Sequence, residues 1–229
     1  MCGRFTIYPT PTELQEFFDL FRTDDFAPRY NVAPTQTVPI IRHDDDGHRV
    51  GNLLRWGLIP PWANSAAEGA KMINCRSESA ATKPAFRRAF KERRCLVPAS
   101  GFYEWQAAGN KSTQPWYLSL KSGNPAAFAG LWESWHDADG QRVESFTILT
   151  TSADDFMGEV HERMPITLDR EVWPVWLDPD VQEVDALQSL LVPSLAEWQR
   201  VPVSSFVNSV KHDSPECIKP VRPKRTLFD

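Results

Sequence analysis

A run of short apolar segments between residues 94 and 152, separated by turn residues, restricts the fold more than any other feature. The segments RCLVPASGFYEWQ, PWYLSLKS, AAFAGLWESWHD and RVESFTILTTSA have strand composition, and G-N, G-N-P and D-A-D-G separate them. Strands joined directly by turns pair in antiparallel fashion, because a parallel pair needs a crossover of about a dozen residues. The run therefore predicts an antiparallel, partly closed sheet rather than repeated βαβ units.

The flanking sequence predicts short helices and a few more strands. PTPTELQEFFDLF and KPAFRRAFKERR have helical spacing, and Phe86 and Phe90 of the second segment are expected to face inward. REVWPVWLD and DVQEVDALQSLL predict two further short helices, and TVPIIRHDDDGHRVGNLLRWGLI predicts two strands around a D-D-D-G turn. We expect one α+β domain over residues 1–221, with an antiparallel β-barrel-like core and peripheral helices. Residues 222–229 are expected to form a mobile tail.

Composition excludes several classes of protein. The 229 residues contain no apolar run of about 18 residues, and the first 30 carry charges throughout, so neither a membrane span nor a signal peptide is expected. We expect the cytosol or a similar reducing compartment, at the nucleoid if the source is a bacterium. The four cysteines have no C-x-x-C or zinc-type spacing, which predicts free thiols and no metal site.

The charge is distributed unevenly along the chain. The net charge is −5, which argues against a broadly basic surface that coats nucleic acid. Residues 71–94 nevertheless hold eight Lys/Arg and two acids, whereas residues 132–185 hold fourteen acids and three arginines. A local anion-binding patch and a solvated basic helix are both compatible with this pattern.

The chain begins MCGRF, which places a cysteine where removal of Met1 would make it the free terminus. Cys2 would then carry an α-amine with a pKa of roughly 8 and a thiol with a pKa of about 8.5 on neighbouring carbons. An amine condenses with an aldehyde to an imine, and the adjacent thiol can close onto that imine as a five-membered thiazolidine. The alternative interpretation is that Cys2 is incidental and takes no part in any chemistry.

Two titratable side chains are candidate acid–base groups. GFYEWQ places Glu104 among aromatic residues, with Phe102 and Glu104 on one face of a strand. Burial would raise the pKa of this carboxyl, as suits a general acid–base, although a structural ion pair is the alternative. HERMP contains His161, a residue type that shuttles protons near neutral pH but is more often structural.

Polar and aromatic residues elsewhere are candidates for ligand binding. MINCRSES places Asn74 and Arg76 on one side of a strand, where the amide can orient a carbonyl or hydroxyl and the guanidinium can hold a phosphate. Arg4, two residues beyond Cys2, has the same capacity, with a surface salt bridge as the alternative. RWGLIPPWA exposes Trp62 on a Pro-Pro turn, where an aromatic ring can stack on an unpaired base or simply pack.

Taken together, the sequence resembles the SRAP family, the SOS response-associated peptidases, which includes abasic-site crosslinking proteins. The matching stretches run in the family's order over nearly the whole chain: MCGRF, RYNVAPTQ, RWGLIPPWA, INCRSES, RCLVPASGFYEW, FAGLWE, TTSA, HERMP and VSSFVNSV…SPECIKPV. The resemblance implies a β-barrel-like α+β fold with a DNA groove. It also implies a monomer without cofactor or membrane attachment that binds single-stranded DNA containing abasic sites during the DNA damage response.

The resemblance also implies roles for individual residues. Processed Cys2 would form a thiazolidine with the ring-opened abasic sugar. Asn74 would contact the sugar, Glu104 would transfer protons at the imine, and His161 would assist ring opening. The family's DNA contacts fall on Arg4, Trp62, Arg76 and Arg163. The chain departs from the family pattern at Cys75, where alanine is common, and at Ser100, where aspartate is common.

Two other functions remain open at this point. A thiol peptidase would use Cys2 as nucleophile, His161 as base and Glu104 or Asn74 as orienting residue, without needing a free amine. Removal of the residue before Cys2 would be one such cleavage. A non-covalent single-strand binder would use Arg76, Arg163 and Trp62, and its binding would survive loss of Cys2.

Overall fold

The computed structural model describes residues 2–107, 113–192, 194 and 196–222. Strands dominate this part of the chain: β1 (Arg4–Ile7), β2 (Arg22–Thr23), β3 (Arg29–Val32), β4 (Thr37–His43), β5 (Arg49–Trp56), β6 (Asn74–Arg76), β7 (Arg94–Ala99), β8 (Gly101–Ala107), β9 (Thr113–Leu120), β10 (Ala126–His136), β11 (Arg142–Ser152), β12 (Arg163–Pro165) and β13 (Trp198–Pro202). The helices are short: α1 (Pro11–Phe18), α2 (Ser77–Ala80), α3 (Arg87–Glu92), α4 (Asp155–Gly158), α5 (Trp173–Leu177) and α6 (Val184–Ser189).

The central sheet closes on itself. Strands β5, β4, β7, β10 and β11 pair in that order, and β11 returns to β5 through Ser145↔Arg55 and Phe146↔Trp56. Strands β2, β6 and β12 extend this ring at its edges. The predicted α+β class with a barrel-like core is confirmed. The pairing is mixed, however, because β5–β11, β6–β11 and β2–β5 are parallel.

A second, fully antiparallel sheet lies beside the barrel in the order β13-β9-β8-β1-β3. Its two faces bury different clusters. Phe102 belongs to the main core, whereas Tyr103 packs with Tyr117 and Val207 in a smaller one. This sheet positions the candidate site, because β1 brings the chain terminus against β8.

The segment RCLVPASGFYEWQ forms two strands rather than one. It breaks at Ser100, so that β7 lies in the barrel and β8 lies in the second sheet. Gly101 permits the change of sheet, because a Cβ there would lie 2.5 Å from the Leu118 carbonyl oxygen and from the ring of Tyr117.

The predicted helices form near their expected positions. In α1 the Thr10 side chain and Glu13 make a capping box, and Leu14 and Phe18 are buried, but Phe21 lies beyond the helix and is 64% exposed. Phe86 and Phe90 face the core beside α3, as predicted.

Three further expectations concern the cysteines, membrane-spanning helices and the C-terminal tail. All four cysteines are free and buried, which confirms the prediction of unpaired thiols. In the portion of the chain described above, no helix is long and apolar enough to span a bilayer. Residues 223–229 of the predicted mobile tail lie outside the described residues, so that prediction stays a prediction.

Candidate active site

The pairing of β1 with β8 brings the chain terminus beside Glu104. Arg4 pairs with Tyr103 and Phe5 with Phe102, and continuing this register places Gly3 opposite Glu104. Cys2 is fully buried, and its Sγ lies 4.0 Å from the Arg4 carbonyl oxygen. Burial raises the pKa of the Cys2 thiol well above its usual range, and the charge of Glu104 raises it further. The thiol is therefore protonated at neutral pH.

Glu104 is a buried carboxyl group on the barrel-facing side of β8. Its side chain is 5% exposed, and the alternation of Phe102 and Glu104 against Tyr103 and Trp105 is as predicted. Burial raises the pKa of Glu104, while the charge of His161 works in the opposite direction. A carboxyl with a raised pKa can both give and accept a proton near neutrality.

Asn74 connects the central barrel to the chain terminus. It lies on β6, paired with Ile148 of β11, and its Nδ2 donates to the Cys2 carbonyl oxygen at 2.8 Å. Its Oδ1 is buried and has no hydrogen-bond partner among the described residues. A buried acceptor of this kind is suited to a hydroxyl or N–H of a ligand.

Cys75 points to the opposite side of β6 from Asn74 and Arg76. Along the strand, Asn74 is half-buried, Cys75 is 2% exposed and Arg76 is exposed. Burial raises the pKa of Cys75 to about 12. The second thiol therefore belongs to the hydrophobic core.

His161 lies in the turn between α4 and β12. Its Nδ1 accepts a hydrogen bond from the backbone N–H of Arg163 at 3.0 Å. A ring nitrogen that accepts carries no proton, so in the neutral imidazole the proton is on Nε2. The electrostatic interaction between His161 and Glu104 joins His161 to the cluster of Cys2, Asn74 and Glu104.

Arg163 is held inside the protein. It is 8% exposed, and its Nη1 and Nη2 donate to the two carboxylate oxygens of Glu78 at 2.7 and 2.9 Å. Nη2 also donates to the Thr150 carbonyl oxygen at 2.6 Å. Glu78 was not among the residues predicted from sequence, although it lies in the INCRSES stretch.

Arg4 is also engaged within the protein. Its Nη1 donates to Asn31 Oδ1 at 2.9 Å and to the Val207 carbonyl oxygen at 3.1 Å, and its Nη2 donates to the Asn208 carbonyl oxygen at 3.3 Å. Its guanidinium also lies 5.9 Å from the Trp105 ring. Both Arg4 and Arg163 therefore have protein partners where the resemblance expects DNA.

Arg76 and Trp62 face solvent. The Arg76 side chain forms no hydrogen bond or ion pair within the described part of the chain, and Trp62 is 60% exposed. The loop that carries Trp62 is fixed at its base, where a Cβ on Gly69 would lie 2.4 Å from the Gly57 carbonyl oxygen. Near its tip, Trp135 Nε1 donates to the Ala63 carbonyl oxygen at 2.7 Å. An exposed ring on a fixed loop is suited to stacking.

The sequence matches the family described as SOS response associated peptidase over residues 1–210. The chain belongs to the SRAP family. It is 43% identical over 226 residues to abasic site processing protein YoqW of Bacillus subtilis, covering 96% of this chain and 99% of that one. It is 32% identical to abasic site processing protein HMCES of Xenopus tropicalis, covering 86% of this chain and 67% of that one.

Solved structures show the same fold. A crystal structure of a protein from Bacteroides thetaiotaomicron superimposes with a TM-score of 0.85, covering 96% of this chain and 100% of that one, at 24% identity. A second crystal structure, of a protein from Bordetella bronchiseptica, has a TM-score of 0.77 and covers 89% of this chain and 100% of that one, at 25% identity. These likenesses support the α+β barrel architecture.

Proposed function

We propose that this protein processes abasic sites in single-stranded DNA by forming a covalent thiazolidine between processed Cys2 and the ring-opened sugar. The observation that carries the proposal is the enclosure of Cys2 between the Asn74 amide and the buried Glu104 carboxyl. Its SRAP relatives are named for abasic site processing, which supports the same lesion as the substrate class.

The covalent chemistry proceeds in balanced steps. Hydrolysis of the Met1–Cys2 bond frees the α-amine. The amine adds to the sugar aldehyde, and loss of water from the carbinolamine gives the imine. The thiol then adds across the C=N bond, with sulfur bonding to carbon and the thiol proton passing to nitrogen. The net change is condensation with loss of one water, and no oxidant or reductant is consumed.

The site residues have distinct parts in this sequence. Glu104 delivers the proton that expels water from the carbinolamine and transfers protons again in reversal, because reversal passes through the same imine. His161 moves the proton that opens the cyclic hemiacetal. Oδ1 of Asn74, which has no hydrogen-bond partner among the described residues, accepts a hydrogen bond from a hydroxyl of the sugar.

DNA binding in this proposal depends first on Arg76 and Trp62. Arg76 offers an exposed guanidinium one residue beyond Cys75, and Trp62 offers an exposed ring on its fixed loop. Arg4 and Arg163 remain proposed DNA contacts, but each would have to share or exchange its present protein partners. We propose further that the protein acts as a monomer.

A thiol peptidase is the second candidate, and N-terminal self-processing is compatible with the main proposal. A peptidase thiol acts as a thiolate, and reactive cysteines lie in electropositive, partly exposed surroundings. The Cys2 thiol is instead buried beside a carboxyl group that raises its pKa. This environment favours the amine as the first nucleophile, with the thiol closing onto the imine later as its proton passes to nitrogen.

Crosslinking by Cys2→Ala tests the proposal. The variant keeps the α-amine and loses the thiol, so it should form no stable adduct with abasic single-stranded DNA, while borohydride should still trap an imine. Cys75→Ala is the matched control and should crosslink like the unchanged protein. A stable adduct on Cys2→Ala without reductant would contradict thiazolidine closure.

Substrates with and without a closed sugar distinguish the role of Glu104 from that of His161. His161→Ala should slow crosslinking to a cyclic abasic sugar by about 10²-fold or more. It should matter less for a DNA aldehyde that cannot cyclise. Glu104→Gln should slow both substrates and adduct reversal. Equal slowing of both substrates by His161→Ala would exclude a role in ring opening.

A further inference from the structure

The backbone of β12 presents one N–H to His161 because of its register with β11. Ser152 pairs with Arg163, and the neighbouring pair is hydrogen-bonded through Ala153 N–H to the Glu162 carbonyl oxygen. In an antiparallel ladder, hydrogen-bonded and non-bonded pairs alternate. The N–H of Arg163 therefore points away from β11, where it donates to His161 Nδ1.

The side chain of Arg163 adds a second restraint on the position of its backbone N–H. Glu78 on α2 binds both terminal nitrogens of Arg163, and the Thr150 carbonyl oxygen on β11 receives a third hydrogen bond. Paired Arg–carboxylate forks are strong and directional. The charge of Glu78 thus helps to hold the Arg163 side chain between α2 and β11. The backbone N–H of Arg163, on β12, in turn sets the tautomer of His161.

We propose that Glu78 is a positioning residue for His161, acting through the side chain and backbone N–H of Arg163. The inference extends the proposed function by assigning a residue that controls the proton-transfer group without touching the substrate. With Nδ1 accepting from Arg163, the ring proton of the neutral imidazole is on Nε2, the nitrogen that we propose exchanges protons with the sugar. Loss of the Glu78 charge should loosen Arg163 and release Nδ1.

A measurement on the free protein tests the structural half without any DNA. In ¹⁵N-labelled protein at alkaline pH, two-bond nitrogen–proton correlations should show His161 with its proton on Nε2. Glu78→Gln should give a mixture of tautomers. Glu144→Gln is the control, because Glu144 also accepts from both terminal nitrogens of an arginine, Arg42, at 2.9 and 2.9 Å. An unchanged His161 tautomer in Glu78→Gln would overturn the proposal.

A double-mutant cycle tests the functional half. Glu78→Gln should slow crosslinking of the cyclic sugar about tenfold, with a smaller effect on the aldehyde that cannot cyclise. In the His161→Ala background the same change should have no further effect, because coupled residues are non-additive. Glu78→Asp should restore part of the rate. Full additivity, or equal slowing of both substrates, would overturn the positioning role.

The two proposals fail in different ways. If the unchanged protein forms no adduct with abasic DNA, the proposed function fails, while the tautomer measurement still decides the Glu78–Arg163–His161 connection. If the unchanged protein crosslinks but Glu78→Gln crosslinks equally fast, the inference about Glu78 fails and the proposed function stands.

Discussion

At the residue scale, Glu104 shows how function and stability oppose each other in this site. Its carboxyl is enclosed by the barrel end, and burial raises its pKa. In the folded state it therefore holds a proton at pH values where the unfolded chain has lost it. Stability gained from this protonation is present at low pH and is lost as pH rises through the raised pKa.

Glu104→Gln should therefore stabilise the protein while impairing its chemistry. We expect the free energy of unfolding at pH 7 to rise by about 1 kcal/mol. The free energy of unfolding should also decrease less steeply above about pH 4.3, the ordinary pKa of glutamate. Urea unfolding between pH 4 and pH 8 measures both.

A matched buried glutamate provides the control for that experiment. Glu133 is 3% exposed but lies 3.1 Å from Arg93, so Glu133→Gln should lower stability by leaving a charge without its partner. A Glu104→Gln variant that is less stable than the unchanged protein at pH 7 would contradict the account of its burial.

The site residues differ in how far the sequence predicts their surroundings. The strand alternation in GFYEW predicts that Glu104 shares a face with Phe102, and the structure has this arrangement. The protein partners of Arg163 and Arg4 were not predicted. Arg163 binds Glu78, 85 positions away, and Arg4 binds the Val207 carbonyl, 203 positions away. Local spacing carries no information about contacts of that range.

At the element scale, the buried side chain of Asn31 is one of the groups that hold the C-terminal strap, residues 204–218, against β3. Asn31 Nδ2 lies 3.1, 3.0 and 2.7 Å from the carbonyl oxygens of Val207, Ser209 and His212, and its two N–H groups are shared among these three acceptors. Its Oδ1 accepts from Arg4. Asn31 therefore ties the strap to the strand pair that carries the chain terminus.

Asn31→Ala should loosen the strap, although Asp213 still accepts hydrogen bonds from the β3 backbone. We expect a loss of about 2–3 kcal/mol in the free energy of unfolding, because several buried polar groups lose their partner. Faster amide exchange over residues 204–218 should accompany it. Asn124→Ala, at an exposed turn position, is the control. Unchanged exchange in the strap would show that Asn31 does not hold it.

The loop of residues 57–72 depends on a close contact between two glycines. A Cβ on Gly69 would meet the Gly57 carbonyl oxygen at 2.4 Å, and Gly57 has φ of +116°. Gly69→Ala should therefore displace the loop, cost about 1–3 kcal/mol, and weaken DNA binding about as much as Trp62→Ala. Gly158→Ala, where nothing lies within 4 Å of the added Cβ, should change neither. DNA binding unchanged by Gly69→Ala would contradict a pre-positioned Trp62.

The strands of this fold were more predictable than their connections. Turn residues correctly separated β9, β10 and β11, because glycine and aspartate turns are encoded locally. The parallel closure of β11 onto β5 was not predicted, since it joins Phe146 to Trp56 across the chain. The division of RCLVPASGFYEWQ between two sheets depends on the close approach of β9 to Gly101, which no local pattern shows.

At the whole-molecule scale, the basic segment of residues 71–94 contributes less surface charge than its composition suggests. Arg94 is 3% exposed and donates to backbone carbonyls that include Trp176 O at 2.6 Å and Phe90 O at 3.0 Å. Arg88 and Arg93 pair with Glu92 and Glu133. Arg76 keeps its charge exposed, so a net acidic protein can still offer a local phosphate contact.

Arg76→Ala should weaken binding to abasic and undamaged single strands equally, because a phosphate contact carries no information about the base. The plot of log affinity against log salt should become shallower by about 0.7. Arg88→Ala removes an exposed but paired arginine and should leave the slope unchanged. An unchanged slope in Arg76→Ala would remove this residue from the DNA path.

The central claim is that the α-amine and thiol of Cys2 together capture the abasic sugar, and intact mass tests it most directly. Protein lacking Met1 is incubated with abasic or undamaged single-stranded DNA, beside protein that retains an extra residue before Cys2. The account predicts one adduct, with the summed masses of protein and DNA less one water, only for the processed protein with abasic DNA. Equal adduct formation by protein with a blocked Cys2 amine would contradict it.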